Sequence, residues 1–191
     1  MNRNFKGFDL NLPHGYKNNN PAILKRIKGD LKAGNQFNYL FIGNVGTGKT
    51  LLADTIYNQF RYNNPRIDNK YIRAMDIYQE YLGVMMSNYT DKLNALEKRI
   101  RCLEKPFVIF DDLGTEKPST DSSRQFIETI LINHYNYVLK YCSSSIISTN
   151  LTGDDIADKY GNRVLDRIHD AFTIMKFNNH SFRQEKTEII G

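Results

Sequence analysis

The chain has 191 residues, a length typical of one compact domain with, at most, a short appendage. Its 26 Lys and Arg outnumber its 21 Asp and Glu, and the formal net charge of +5 permits a nucleic-acid partner without requiring one. The cysteines, Cys102 and Cys142, are too few and too far apart for a disulfide framework or a zinc ribbon. No apolar run is long enough to span a membrane and the first residues do not match a secretory signal, so we expect a cytoplasmic protein.

The beginning of the chain differs in composition from the rest. Residues 1–20 are rich in asparagine and are predicted to form an extended arm, followed by a single domain over residues 21–191. Asn20 is a favourable N-cap and Pro21 suits the first helical position, so the first helix is predicted to begin there. Apolar side chains recur at helical spacing as far as Gly34, which predicts the end of that helix.

Strands and helices alternate through the remainder of the chain. Short apolar runs predict buried strands at 39–42, 71–75, 107–110, 145–148 and 172–177. Helical spacing predicts helices around 52–60, 76–86, 93–103, 122–142, 154–159 and 162–171. This alternation is typical of an α/β domain with a mainly parallel sheet.

The segment from Gly43 to Thr50 matches the phosphate-loop pattern G-x-x-x-x-G-K-[ST], and it follows a predicted strand and opens a predicted helix. Glycines let the loop curl so that several backbone N–H groups point at one anion, and the helix N-terminus adds its dipole. Lys49 is expected to reach the β- and γ-phosphates. The residues predicted to bind ATP in this segment are Gly43, Asn44, Val45, Gly46, Thr47, Gly48, Lys49, Thr50 and Leu51.

Two further strands end in polar residues suited to phosphate chemistry. Asp111 and Asp112 follow the apolar run 107–110, and a buried strand ends in paired carboxylates only where something compensates their charge. We expect Asp111 and the Thr50 hydroxyl to hold Mg²⁺, and Asp112 to orient or deprotonate the attacking water. Asn150 ends the next strand, where its amide can bind the γ-phosphate and the water without adding charge.

Taken together, these motifs resemble the AAA+ ATPases of the DnaC/DnaI helicase-loader and IstB group. The resemblance extends over residues 35–183 and rests on four segments, which are 43–50, 111–116, 148–150 and 163–168. It implies a P-loop NTPase fold of three α/β/α layers, with a five-stranded parallel sheet in the order 5-1-4-3-2. It also implies assembly in which an arginine of one subunit completes its neighbour's site. Arg167 is the candidate for that arginine, and Arg163 is a supporting or alternative one.

The resemblance has departures at both ends of the chain. The stretch after Phe177 is too short for the C-terminal helical lid of many AAA+ proteins, so none is expected. Arg183 lies in a short motif similar to one at the C-terminus of the loaders and is a candidate to approach the nucleotide. The first 20 residues are too few for the helicase-binding domain that loaders of this group usually carry.

The helical region after residue 76 is a candidate DNA-binding surface, because helices of the loader group in this region contact single-stranded DNA. The cations predicted to track phosphates are Lys92, Lys98, Arg99 and Arg101.

The main hypothesis is an ATP-hydrolysing accessory protein of DNA replication that helps load a replicative helicase on single-stranded DNA. One alternative is an IstB-like transposition helper, which would prefer duplex DNA and a transposase. Another is a regulator that docks on a resident helicase loader through its ATPase face.

Overall fold

The structure, a computed structural model, describes residues 9–13, 21–86, 91–118 and 120–177. Its centre is a parallel sheet of five strands in the order β2-β3-β4-β1-β5, which confirms the predicted order. The strands are β1 (Asn38–Gly43), β2 (Asn69–Arg73), β3 (Phe107–Leu113), β4 (Ser144–Thr149) and β5 (Thr173–Phe177). All five carboxyl ends therefore lie at one edge of the sheet, which is where ligands bind in open α/β folds.

Helices cover both faces of this sheet. They are α1 (Pro21–Ala33), α2 (Lys49–Asn63), α3 (Ala74–Met86), α4 (Lys92–Ile100), α5 (Asp121–Tyr141), α6 (Gly153–Tyr160) and α7 (Asn162–Ala171), with a 3-10 turn at Arg101–Leu103. Successive strand residues point to opposite faces, so Phe41 packs in one apolar core with α1 and α2, while Leu40 packs in the other with α3, α5, α6 and α7. The three-layer α/β/α architecture is confirmed.

Two strands differ from the sequence prediction by more than one residue at an end. The second strand was expected at 71–75 but ends at Arg73, because Ala74 and Met75 already begin α3 and both favour a helix. The third strand was expected to stop at Phe110 but continues through both aspartates to Leu113, with an irregular pairing to β4 between Phe110 and Leu113.

The described part of the predicted arm, residues 9–13, forms neither helix nor strand. Leu10 is nevertheless buried among the side chains of α1 and α2. The backbone N–H of Asn11 donates to Oε1 of Gln59 over 3.1 Å, so this stretch is fastened to α2. No helix in the described ranges is long and apolar enough to cross a membrane.

Candidate nucleotide site

The loop between β1 and α2 has the backbone that a phosphate loop needs. A Cβ atom at Gly43 would lie 2.4 Å from the carbonyl oxygen of Phe177, so only glycine lets β1 end this close to β5. Gly48 is the N-cap of α2 with φ of 90°, and it supplies no side-chain hydrogen bond to the helix. The first N–H groups of α2 therefore remain available to an anion, which the helix dipole also attracts.

Lys49 is buried and makes three hydrogen bonds to neutral oxygen atoms. Its Nζ donates to the carbonyl oxygen atoms of Gly43 at 2.7 Å and Asn44 at 2.9 Å, and to Oδ1 of Asn150 at 2.8 Å. Burial lowers the pKa of Lys49, and the charges of Asp112 and Asp111 oppose that effect. A phosphate oxygen is a stronger acceptor for an ammonium group than these carbonyls. Lys49 can therefore exchange these hydrogen bonds for bonds to a phosphate.

Asp111 is buried and accepts hydrogen bonds from three hydroxyl groups. Tyr71 donates to Oδ2 over 2.7 Å, while Thr50, over 3.3 Å, and Ser148 donate to Oδ1. These bonds hold a buried carboxylate in one orientation and compensate for its loss of contact with water. Tyr71 and Ser148 were not predicted from the sequence, although Ser148 lies two residues before Asn150.

Asp54 of α2 is a second carboxylate beside this cluster. The pKa of Asp54 is raised, chiefly by burial and also by the charge of Asp111. The hydrogen bond with Tyr71 and the charge of Arg73 oppose this rise. The pKa of Tyr71 is itself raised by burial and by the hydrogen bond to Asp111, so Tyr71 stays protonated as a donor.

The oxygen atoms of Thr50 and Asp111 fit a bound Mg²⁺. Both are hard ligands, they lie 3.3 Å apart, and the carboxylate is compensated by neutral hydroxyls instead of a cation in direct contact. Within the described ranges, no group of three His, Cys, Asp or Glu residues could hold a metal. A site with only the Thr50 hydroxyl and the Asp111 carboxylate suits Mg²⁺, which keeps several waters and takes its other ligands from phosphates.

Asp112 occupies an unusual backbone position next to this cluster. Its φ of 54° is left-handed, a region that Asp and Asn tolerate better than other side chains. Its N–H donates to Oγ of Ser148 over 3.0 Å, and its carbonyl accepts from the N–H and the hydroxyl of Thr115. Asp112 thus lies beside Asp111 and Lys49, and its backbone is fixed by Ser148 at the N–H and by Thr115 at the carbonyl.

Arg167 and Arg163 lie on α7, packed against α5. The guanidinium of Arg167 stacks on the ring of Tyr135, with Cζ 4.7 Å from the ring centroid, and the Tyr135 hydroxyl donates to Asp170 over 2.5 Å. The Nε atom of Arg167 is buried without a hydrogen-bond partner in the part of the chain described. Arg163 is exposed. Tyr135 and Asp170 were not predicted: Asp170 follows Arg167 by one turn of α7, but Tyr135 reaches Arg167 only through the packing of α5 against α7.

The predicted DNA-binding cations differ in their availability. Lys92 donates to the carbonyl of Met85 over 2.9 Å, and Arg101 lies 3.3 Å from Glu97 in an exposed ion pair. Lys98 is exposed. The side chain of Arg99, and the whole of Arg183, lie outside the described residues.

A parallel sheet in this order, with a phosphate loop after β1 and a carboxylate on β3, defines a P-loop NTPase domain. The family model of the ATPase family associated with various cellular activities (AAA) matches residues 39–168. The chain belongs to the AAA family of ATPases, as the sequence predicted.

Several proteins of DNA replication are similar to this chain in structure or sequence. A crystal structure of the DnaC helicase loader superposes with a TM-score of 0.67 at 22% identity, covering 91% of this chain and 98% of that one. DnaA bound to AMPPCP and single-stranded DNA superposes with a TM-score of 0.63 at 15% identity, covering 84% of this chain and 46% of that one. The chromosomal replication initiator protein DnaA of Streptococcus thermophilus is 28% identical over 144 residues, covering 74% of this chain but only 29% of that protein.

Proposed function

We propose that this chain binds and hydrolyses ATP with Mg²⁺, and that it does so as an accessory protein of DNA replication. The observation that carries the hydrolytic proposal is the meeting of Lys49, Asn150, Asp111 and Asp112 at the carboxyl edge of the sheet. Lys49 comes from the start of α2, Asp111 and Asp112 from β3, and Asn150 from the end of β4, and each has a separate role in phosphoryl transfer.

Binding begins with an exchange of partners at Lys49. Its Nζ leaves the two loop carbonyls and Asn150 and takes the β- and γ-phosphate oxygens, while the N–H groups of the loop and of α2 surround the phosphates. Thr50 and Asp111 would hold Mg²⁺, which when bound would neutralise part of the phosphate charge. Tyr71 and Ser148 keep Asp111 oriented for this task.

Asp112 is the proposed base for the attacking water. Its carboxylate lies near Lys49, and Asp112 follows Asp111, the proposed metal ligand, so it is placed to take a proton from a water that attacks the γ-phosphate. Asn150, released by Lys49, orients that water or the γ-phosphate with its amide. Aspartate is shorter than the glutamate found more often at this position, which favours slow turnover.

The remaining charge on the γ-phosphate is neutralised by Arg167 of a neighbouring copy in this proposal, so the protein assembles with itself. Arg167 extends from α7 and packs on Tyr135 within its own subunit. A guanidinium entering from a neighbour couples hydrolysis to assembly.

Mixed assemblies test this arrangement. The donor variant Asp112→Asn keeps Arg167 but lacks the base, and the acceptor variant Arg167→Ala keeps the base but lacks the arginine. We expect each alone to be nearly inactive and the mixture to recover hydrolysis, because a donor arginine completes the acceptor's site. A donor that also carries Arg167→Ala should recover nothing, while one with Arg163→Ala tests the alternative arginine and should recover activity. No recovery in any mixture would contradict action across subunits.

Helicase loading on single-stranded DNA is the cellular role we favour. Its support is the similarity in fold to the DnaC helicase loader and the cations on and after α4, of which Lys98 is exposed. Stimulation of hydrolysis by single-stranded over duplex DNA agrees with loading. The reverse preference favours the transposition helper, and capture of a resident loader without hydrolysis favours the regulator.

A further inference from the structure

The loop that follows β3 is held by a buried carboxylate. The side chain of Glu116 has no exposed surface, and its Oε2 accepts from the N–H of Gly114 over 3.0 Å. Its Oε1 accepts from the hydroxyl of Tyr160, and Nζ of Lys159 lies 3.3 Å away. Both partner side chains come from the end of α6, so Glu116 joins the loop to that helix.

Lys159 strengthens the same junction through the backbone. Its Nζ donates to the carbonyl oxygen of Gly114 over 2.6 Å and to that of Glu116 over 2.5 Å. A buried carboxylate without a cation is strongly disfavoured, so loop and helix end cannot separate without exposing or neutralising a charge. We therefore expect the loop and the end of α6 to move together.

One end of this junction leads to the hydrolytic site. Asp112 is two residues before Gly114, and its carbonyl accepts two hydrogen bonds from Thr115. Gly114 also lies against the residue after Asn150, since a Cβ atom added to it would be 2.7 Å from Cδ1 of Leu151. A shift of Asp112 or of the end of β4 near Asn150 would therefore displace the loop that contains Gly114.

The other end leads to the arginine helix. Tyr160 is the last residue of α6, and Gly161 after it is the N-cap of α7, which carries Arg167. Ile156, Tyr160, Val164 and Ile168 are buried in one apolar core, so α6 and α7 are packed as one body.

We propose that Glu116 is a positioning residue that links the nucleotide state of a subunit's own site to the placement of the Arg167 it offers to its neighbour. This inference rests on the proposed function and adds the route of coupling within a subunit. In a subunit with bound ATP, the loop after Asp112 is held in one position. Because Glu116 contacts Tyr160, the position of this loop determines the position of Tyr160 and of α7. A purely structural Glu116 would hold the loop without this dependence on nucleotide.

Hydrogen–deuterium exchange tests the link within single subunits. AMPPCP with Mg²⁺ should slow exchange in the phosphate loop and in residues 161–171 of the wild-type chain. With Glu116→Gln, which keeps the shape but lacks the charge, the slowing at the phosphate loop should remain and that at 161–171 should fall at least threefold. Tyr160→Phe should act in the same direction, and Glu128→Gln on α5 is the matched control. Full slowing at 161–171 in both variants, or none there in the wild type, would overturn the inference.

The mixed assemblies supply a second measurement, which also separates this inference from the proposed function. Adding Glu116→Gln to the Asp112→Asn donor should lower the recovered hydrolysis at least threefold, although the donor's own site does no chemistry. Donors that bind no ATP, made by Lys49→Ala, should be similarly poor. Unchanged recovery with both donors overturns the link while leaving the shared arginine intact. If neither mixing nor phosphate-loop slowing occurs in the parent proteins, the proposed function fails and takes this inference with it.

Discussion

Lys49 donates a hydrogen bond to Asn150 over 2.8 Å, which joins the phosphate loop to the end of β4. The contact uses the same ammonium group that the γ-phosphate requires. In the proposed mechanism Asn150 therefore has two roles: it competes for Lys49 before ATP binds, and it orients water once Lys49 has moved.

Replacing Asn150 should separate these two roles. Asn150→Ala removes a competing acceptor, so we expect ATP affinity to stay within about threefold while turnover falls at least about tenfold. Asn150→Asp places a carboxylate against Lys49 and against the phosphate, so it should weaken ATP binding by about tenfold or more. Calorimetric titration and steady-state hydrolysis measure the two effects. Equal losses of affinity and turnover in Asn150→Ala would contradict a role in the reaction itself.

Asp112→Asn should uncouple binding from hydrolysis. Asparagine tolerates the left-handed φ of 54° at this position, so the fold is expected to be preserved. Without a base, turnover should fall by about 10²- to 10⁴-fold while ATP binding remains. Thermal unfolding of the variant provides the folding control. Turnover within a few-fold of the wild type would show that another group activates the water.

Tyr71→Phe tests the orientation of Asp111. Loss of the hydroxyl frees Oδ2 of Asp111, while the ring keeps its edge contact with Tyr57 at 5.4 Å between centroids. We expect the Mg²⁺ concentration for half-maximal hydrolysis to rise by about threefold to tenfold, in line with losses of outer-shell metal partners, with little change in nucleotide binding measured without Mg²⁺. Tyr57→Phe, which removes a hydroxyl from the neighbouring ring, is the control. If both variants and the wild type required the same Mg²⁺ concentration, Tyr71 would have no role in orienting Asp111.

His134 should make the fold less stable in mild acid. It is buried between the carbonyl of Leu103 and the hydroxyl of Ser145, and burial lowers its pKa to about 4. An unfolded histidine titrates near 6.5, so between these values the unfolded chain binds more protons and the free energy of unfolding falls as pH falls. The fall attributable to His134 should reach about 3 kcal/mol near pH 4.

Denaturant unfolding from pH 7 to pH 4 measures this effect. His134→Gln should be less stable at pH 7, because the buried hydrogen bonds are disturbed, yet its stability should depend less on pH than that of the wild type. Parallel pH curves for the two proteins would mean that His134 does not carry the acid sensitivity.

Local sequence pattern was sufficient to predict the alternation of strands and helices, the phosphate loop and the strand that carries Asp111. These features depend on contiguous residues: an apolar run, a glycine pattern and the carboxylates after β3. The resemblance to a known family supplied the strand order, which spacing alone does not determine.

Contacts between distant segments could not be predicted in the same way. Tyr71 reaches Asp111 only because β2 and β3 are neighbours, with Arg73 paired to Asp111 in register. Tyr160 reaches Glu116 across 44 positions of sequence. Nothing in the local pattern distinguishes these tyrosines from the other ten in the chain, because 12 tyrosines share the same amphipathic chemistry.

The central claim, that this ATPase helps place a replicative helicase on single-stranded DNA, is tested most directly by reconstitution. The purified hexameric helicase of the same cell is mixed with circular single-stranded DNA, ATP and the wild-type chain, and DNA-bound helicase is measured. We predict a several-fold rise with the wild type, none with Lys49→Ala, and a stalled complex of helicase and Asp112→Asn. No rise with the wild type, together with stimulation of its hydrolysis by duplex DNA or with capture of the resident loader, would contradict the claim.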